Sequence, residues 1–150
     1  MLNSSAGREE KAGQIADAIR LSGSYRWVGV YDVSETEIAN LAWSGPGPPA
    51  HPRFPADRGL SGEAVATRRT VVCNDVLNDP RYLVALGDTR SEIIVPVRSV
   101  SGAVVGTLDV EAAREDAFSD ADREFLEECA SAAAGLWERA GAVPSERDRK

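Results

Sequence analysis

Three acids, Glu92, Asp109 and Glu111, have a spacing in this 150-residue chain that could do chemistry. They lie in the stretch SEIIVPVRSVSGAVVGTLDVEA, where two Val- and Ile-rich runs flank Ser101-Gly102. That pattern predicts a β-hairpin. A two-residue turn at Ser101-Gly102 sets Val100 against Ala103, Val97 against Gly106, Val95 against Leu108 and Ile93 against Val110. Glu92 then faces Glu111 and Ile94 faces Asp109, so three carboxylates meet at one end of one face. Like charges directly opposite on a sheet are destabilising. Either this end of the hairpin is frayed and wet, or it is a site for an amine, a guanidinium or a metal. The pairing taken alone slightly favours the frayed end.

The opposite face of the hairpin carries Ile93, Val95, Val97, Val104, Leu108 and Val110, and must be covered. The acidic face continues through Ile94, Pro96, Val100, Ala103, Val105 and Thr107. Pro96 cannot donate to a ladder and predicts a bulge or an edge. Other reactive side chains are few. Cys73 falls in a predicted strand and Cys129 on a helical stripe, and isolated cysteines of this kind are most often small buried hydrophobes. His51, the single histidine, excludes a multi-histidine metal cluster.

The elements that must position the acids follow from the rest of the chain. With 43% hydrophobic and 27% charged residues, it has the composition of one globular domain with a real core. The formal charge of −7 and the lack of a basic run argue against a nucleic-acid partner. No apolar run is long enough for a membrane span, and the N-terminus lacks the apolar segment of a signal peptide. The expected compartment is the cytoplasm. Residues 1–7 are expected to be disordered, 8–140 to form the domain and 141–150 to be a flexible tail.

A helix is predicted from Arg8 to Ser22, with Ala12, Ile15, Ala16 and Ile19 on one stripe. Strands follow at Arg26–Val33 and Thr36–Trp43. The segment SGPGPPAHPRFPADR, with five prolines and two glycines, is an expected irregular loop. A short helix is predicted at Leu60–Arg69, capped by Ser61, and a strand at Thr70–Cys73. A second irregular region, Asn74–Arg90, is expected to carry a helical turn from Pro80 to Leu86. The last helix opens at Ser119 in an S-x-x-D capping pattern with Asp122. It is predicted to run to about Ala140 with Ala121, Phe125, Cys129, Ala133, Leu136 and Trp137 on its stripe. The fold class is therefore α+β, with a mainly antiparallel sheet of five or six strands. The terminal helices cover the apolar hairpin face, and loops and short helices roof the acidic one.

This order of elements, with WVGVY, GLSGEAVATRR, NDV, SEIIVPV and VVGTLDVEA, resembles the GAF domain, a small-molecule-binding relative of PAS domains. Among GAF domains it is similar to the free methionine-(R)-sulfoxide reductases. Those carry a W-V-G-x-Y strand, an R-G-V-C-G turn, an A-C-D segment before S-E-I-V-x-P, and a G-V-L-D-I-D strand. The resemblance covers roughly Tyr25 to Trp137. Read without gaps, it places the family's three cysteines on Ser61, Ala85 and His51, so all three thiols are replaced. Sulfoxide reduction needs an attacking thiolate and a second, resolving thiol. The acids do match: the family's substrate-binding carboxylates fall on Glu92, Asp109 and Glu111, the last a Glu in place of Asp. The resemblance turns the balance from a frayed end to a site.

The resulting expectation is a non-catalytic sensory or binding domain, without cofactor or bound metal, for a small amine-bearing ligand. Glu92, Asp109 and Glu111 would hold that ligand, Trp27, Tyr31, Trp43 and Tyr82 would wall the pocket, and Ser61 and Ala85 would mark the former thiol positions. Two enzyme readings stand beside it: a reductase working through Cys73, and a metal-dependent site built from His51 and the three acids. A further expectation is a homodimer through the terminal helices, with Leu126, Ala130 and Trp137 as a second apolar seam.

Overall fold

The computed structural model describes residues 5–82 and 87–138. Helix α1 (Ser5–Gly23) leads into β1 (Trp27–Val33), β2 (Glu37–Ser44) and the short β3 (Arg53–Pro55). Then come α2 (Gly59–Thr67), β4 (Val71–Cys73), a 3-10 turn at Val76–Asn78, β5 (Ser91–Arg98), β6 (Val104–Ala112) and α3 (Asp120–Ala133). A second 3-10 turn, Ala134–Trp137, closes the described chain. All six strands form one antiparallel sheet in the order β3-β2-β1-β6-β5-β4. None of the described helices is long and apolar enough to cross a membrane.

The β5–β6 hairpin lies inside this sheet, between β1 and β4, and its alternation decides both layers. Ile93, Val95, Val97, Leu108 and Val110 point to one side. There α1 lies on β1 and β2, and α3 lies on β5 and β6. Ala12, Ala16 and Ile19 of α1 are buried against this layer, as the helical spacing predicts. α1 starts at Ser5, inside the segment expected to be disordered. Leu83–Leu86, most of the helical turn expected from Pro80, and the predicted 141–150 tail lie outside the described residues.

Three sequence expectations are corrected here. The hairpin turn is a three-residue loop: Ser99 N–H donates to the Ala103 carbonyl, and Gly102, at φ 92°, donates back to Ser99. A positive φ at the third loop position suits glycine. The register slips between Val97 and Arg98, so Arg98 pairs with Val104. One extra residue reverses the faces near the turn; Val105, and not Val104, packs on the core. Beyond the slip the pairing matches the prediction, with Val97 opposite Gly106 and Glu92 opposite Glu111. At Pro96, β4 has already ended, since it pairs only with Glu92–Ile94.

The second correction concerns α3. Its capping box forms as predicted between Ser119 and Asp122. Ala133 is buried and Phe125, Cys129 and Leu136 pack half-buried on the core as predicted, but Leu126 and Ala130 are buried too and Ala121 is exposed. Leu126 and Ala130, assigned with Trp137 to a second seam, therefore cover the sheet. The helix tightens at Ala134 instead of reaching Ala140, which brings Trp137 onto β6. Its indole N–H donates to Asp32 Oδ1 at 2.8 Å, and its ring fills the space a side chain on Gly106 would need. The third correction is Ser61. The N-cap of α2 is Arg58, and Ser61 is buried within the helix. In the proline-rich loop, β3 pairs with β2 from Glu37 to Ala39.

Candidate ligand-binding site

The second face of the sheet carries the acids. Two rows of paired residues cross it. One runs Trp27, Glu111, Glu92, Cys73 over β1, β6, β5 and β4. The next runs Gly29, Asp109, Ile94, Val71. Directly paired residues share a face, so Glu111 lies between Trp27 and Glu92, with Asp109 diagonal to both. All three acids are buried, Glu111 completely. Their carboxylate oxygens lie within 4.8 Å of one another. The end of the hairpin is therefore not frayed: β1 and β4 continue the sheet on both sides of it.

The walls are apolar. Trp27, Tyr31 and Ile38 form one buried cluster, and Tyr31 meets Phe54 of β3 edge to face, ring centroids 6.0 Å apart. Gly29 makes that packing possible, because a Cβ there would stand 2.5 Å from the Trp27 ring and 2.8 Å from the Tyr31 ring. Trp27 donates its indole N–H to the Gly47 carbonyl at 2.9 Å, which ties the proline-rich loop to the sheet. On the other flank Leu60 and Ala64 of α2 pack with Ile94, Cys73 and Val76, and half-buried Tyr82 joins them. The segment before Tyr82 is clamped: Asp79 holds Arg81 and accepts from the Cys73 thiol, and Arg81 also pairs with Glu63 of α2.

Burial in this apolar setting decides the protonation of the cluster. It is the largest cause pushing Glu92 and Glu111 well above the ordinary carboxylate range, with neighbouring negative charge adding to it. Burial raises Asp109 as well, while hydrogen bonds from Glu92 and Glu111 hold it down. The three share protons. Asp109 Oδ1 and Glu111 Oε2 lack a partner when all three are written as carboxylates, since two acceptors cannot bond each other. Thr89 Oγ1–H donates to Glu111 Oε1 at 2.5 Å. Buried Thr107, next along the same face, has an unpartnered hydroxyl. Among the described residues no ion pair reaches any of the three acids. Burial first, and then the charges of these acids, push the Tyr31 and Tyr82 phenols up, so both stay protonated. Such a trio can accept several hydrogen bonds from one ammonium, or ligate one metal ion.

The structure thus brings Glu92, Asp109, Glu111, Trp27, Tyr31 and Tyr82 to one face. Trp43, opposite Gly29 on β2, belongs to that face but is exposed. Ala85 lies outside the described residues. His51 is exposed and does not join the acids, which removes the mixed histidine–carboxylate metal site. Cys73 sits beside Glu92 in the ladder, closer to the acids than a merely structural strand cysteine need be. Burial raises both thiols, Cys73 and Cys129, so neither is a thiolate at neutral pH. Sequence reasoning missed Thr89, whose only signal is a polar residue just before the S-E-I run, and the Asp79–Arg81 clamp, which sits in a segment without periodicity.

Comparison with known proteins places this geometry. A family model described as GAF domain matches residues 9–138. The free methionine-R-sulfoxide reductase of Saccharomyces cerevisiae is 32% identical over 112 residues, covering 73% of this chain and 62% of the yeast protein. The chain thus spans less than two thirds of that relative. A type II free methionine-R-sulfoxide reductase from Thermoplasma acidophilum superposes with a TM-score of 0.76 at 30% identity, covering 86% of this chain and 94% of that one. The Neisseria meningitidis free methionine-R-sulfoxide reductase, solved in complex with its substrate, gives 0.78 at 29% identity, covering 87% and 77%.

Proposed function

The chain belongs to the GAF domain family, with close homology to free methionine-R-sulfoxide reductases, and we propose that it is a non-catalytic, sensory member that binds a small amine-bearing molecule in the cytoplasm. One observation carries the reading: three buried carboxyl groups within 4.8 Å of one another, with no cation paired to them among the described residues. An ammonium satisfies such a set, because its three N–H donors reach three acceptors and its charge replaces the shared protons. The relatives named above act on a free amino acid, a molecule that carries an ammonium. Tyr31, Trp27 and Tyr82 supply apolar surface for the rest of the ligand.

The absence of chemistry in this reading rests on the thiols. The resemblance puts the family's cysteine positions on Ser61, Ala85 and His51, and Cys73 is a protonated thiol bonded to Asp79. The position of Cys73 beside Glu92 favours, as the second reading, a reductase that uses this thiol. Native mass spectrometry of the purified protein, followed by thermal melting with amino acids, amines and divalent metals, tests binding. An amine that raises the melting temperature in wild type but not in Asp109→Asn supports the proposal. A panel in which no amine shifts wild type would overturn it. We also propose a homodimer through the outward faces of α1 and α3.

A further inference from the structure

Away from the acids, a groove of about 660 Å³ runs between α3, the outer side of β5 and the turn after α2. Four arginines line it: Arg68, Arg69, Arg98 and Arg123. The one carboxylate in its lining is Glu127, held by Arg123 Nε and by Thr70 Oγ1. Four guanidinium groups against one carboxylate leave a net +3 here, in a chain whose overall charge is −7. Arg68, Arg69 and Arg98 make no ion pair among the described residues.

The backbone holds these groups together. Arg98 stands at the register slip of the hairpin, paired with Val104 across from the extra residue, Val105, of β6. Its guanidinium donates to the Arg68 carbonyl at 3.3 Å, joining the hairpin to the end of α2. Arg68 itself caps α2 in the left-handed region, φ 60°, where glycine is the ordinary occupant. β4 ends before Pro96, so no strand covers the groove from that side.

We propose that this groove is a second binding site, separate from the acidic pocket, for a small molecule bearing at least two phosphoryl groups. Guanidinium forks bind phosphate oxygens two at a time. Three uncompensated positive charges call for more than one anionic group, and the volume is that of a small-ligand cleft. An extended acidic peptide is disfavoured because Pro96 interrupts the donors along β5.

Isothermal titration of the full chain with pyrophosphate tests this, in buffer of fixed ionic strength. Saturable one-to-one binding is expected, weakened about tenfold or more in each of Arg69→Gln and Arg98→Gln. Both residues are exposed, so both variants should stay folded when no anion is present, Arg98→Gln giving up only the bond to the Arg68 carbonyl. Heat no larger than that of sodium chloride at equal ionic strength would overturn the proposal. So would pyrophosphate affinity unchanged in both variants. An oligoglutamate peptide that binds more tightly than pyrophosphate and displaces it would overturn the assignment to a small molecule. The amine panel plays no part in this readout, so its outcome leaves the groove untouched.

Discussion

Replacing Glu111 with Gln should stabilise the empty protein and weaken its ligand. Glu111 is fully buried, with carboxylate oxygens of Glu92 and Asp109 within 4.8 Å. At an effective dielectric of about 20, each ionised pair at that separation costs about 3.5 kcal/mol. Shared protons already relieve part of that cost at neutral pH. Gln keeps the acceptor for Thr89 Oγ1 and adds a donor toward its acidic neighbours. A net gain of about 1–2 kcal/mol remains, or about 2–8 °C in melting temperature for a domain of this size. The pH dependence has a definite sign. Glu92 and Glu111 are raised in the folded state above the ordinary 4.5. Wild-type stability from these groups is therefore full below that value and is lost as pH rises through the raised ones. The advantage of Glu111→Gln should grow as pH rises above 4.5, and is compared at about pH 5 and about pH 8. A bound ammonium loses one unit of attraction, so its affinity should fall by about 10- to 100-fold. Differential scanning calorimetry at both pH values, with and without the amine panel, measures every part of this. A variant that melts with wild type at both pH values, or below it, would refute the account of the cluster.

The other consequences are simpler. No turnover of free methionine sulfoxide with a thiol reductant is expected; activity in wild type that disappears in Cys73→Ser would establish the reductase reading instead. Gly29→Ala drives a methyl into the Trp27 and Tyr31 rings and should cost about 1–3 kcal/mol in urea unfolding; unchanged stability would show that the rings are not packed over it. Ser119→Ala removes the capping box of α3 and should cost about 1 kcal/mol by the same measurement. Light scattering of the concentrated full chain should give the mass of two copies, and a monomer would end the dimer proposal.

What could be read from the sequence followed from period and turn chemistry. The alternation of the two Val-rich runs fixed which residues of β5 and β6 face each other near the acids, because a one-residue error there would bury charge on the core side. Near the turn that constraint fades. Val104 and Val105 are both apolar, so either can face inward, and the extra loop residue decided between them. The α3 stripe was read too far to one side: Phe125, Cys129, Ala133, Leu136 and Trp137 do pack inward, but Leu126 and Ala130 are the more deeply buried. Small apolar residues surround that helix, and the spacing alone did not separate Leu126 and Ala130 from Phe125 and Cys129.

The roof of the site was illegible for a different reason. Tyr82 and Thr89 reach the acids from a segment with no repeating pattern, held by Asp79, Arg81 and backbone hydrogen bonds such as Val76 N–H to the Arg90 carbonyl. Nothing in a periodicity announces such a clamp. The acids themselves were visible because they break the rule that every other residue of the hairpin obeys. A central hairpin with one face wholly apolar has its stability supplied by α1 and α3. The other face is then free to carry groups that work against folding. Three carboxyls buried beside Trp27 and Tyr31, two lacking a partner for an oxygen, are such a cost. Shared protons offset part of it, and under the proposed function an ammonium entering from outside would offset more.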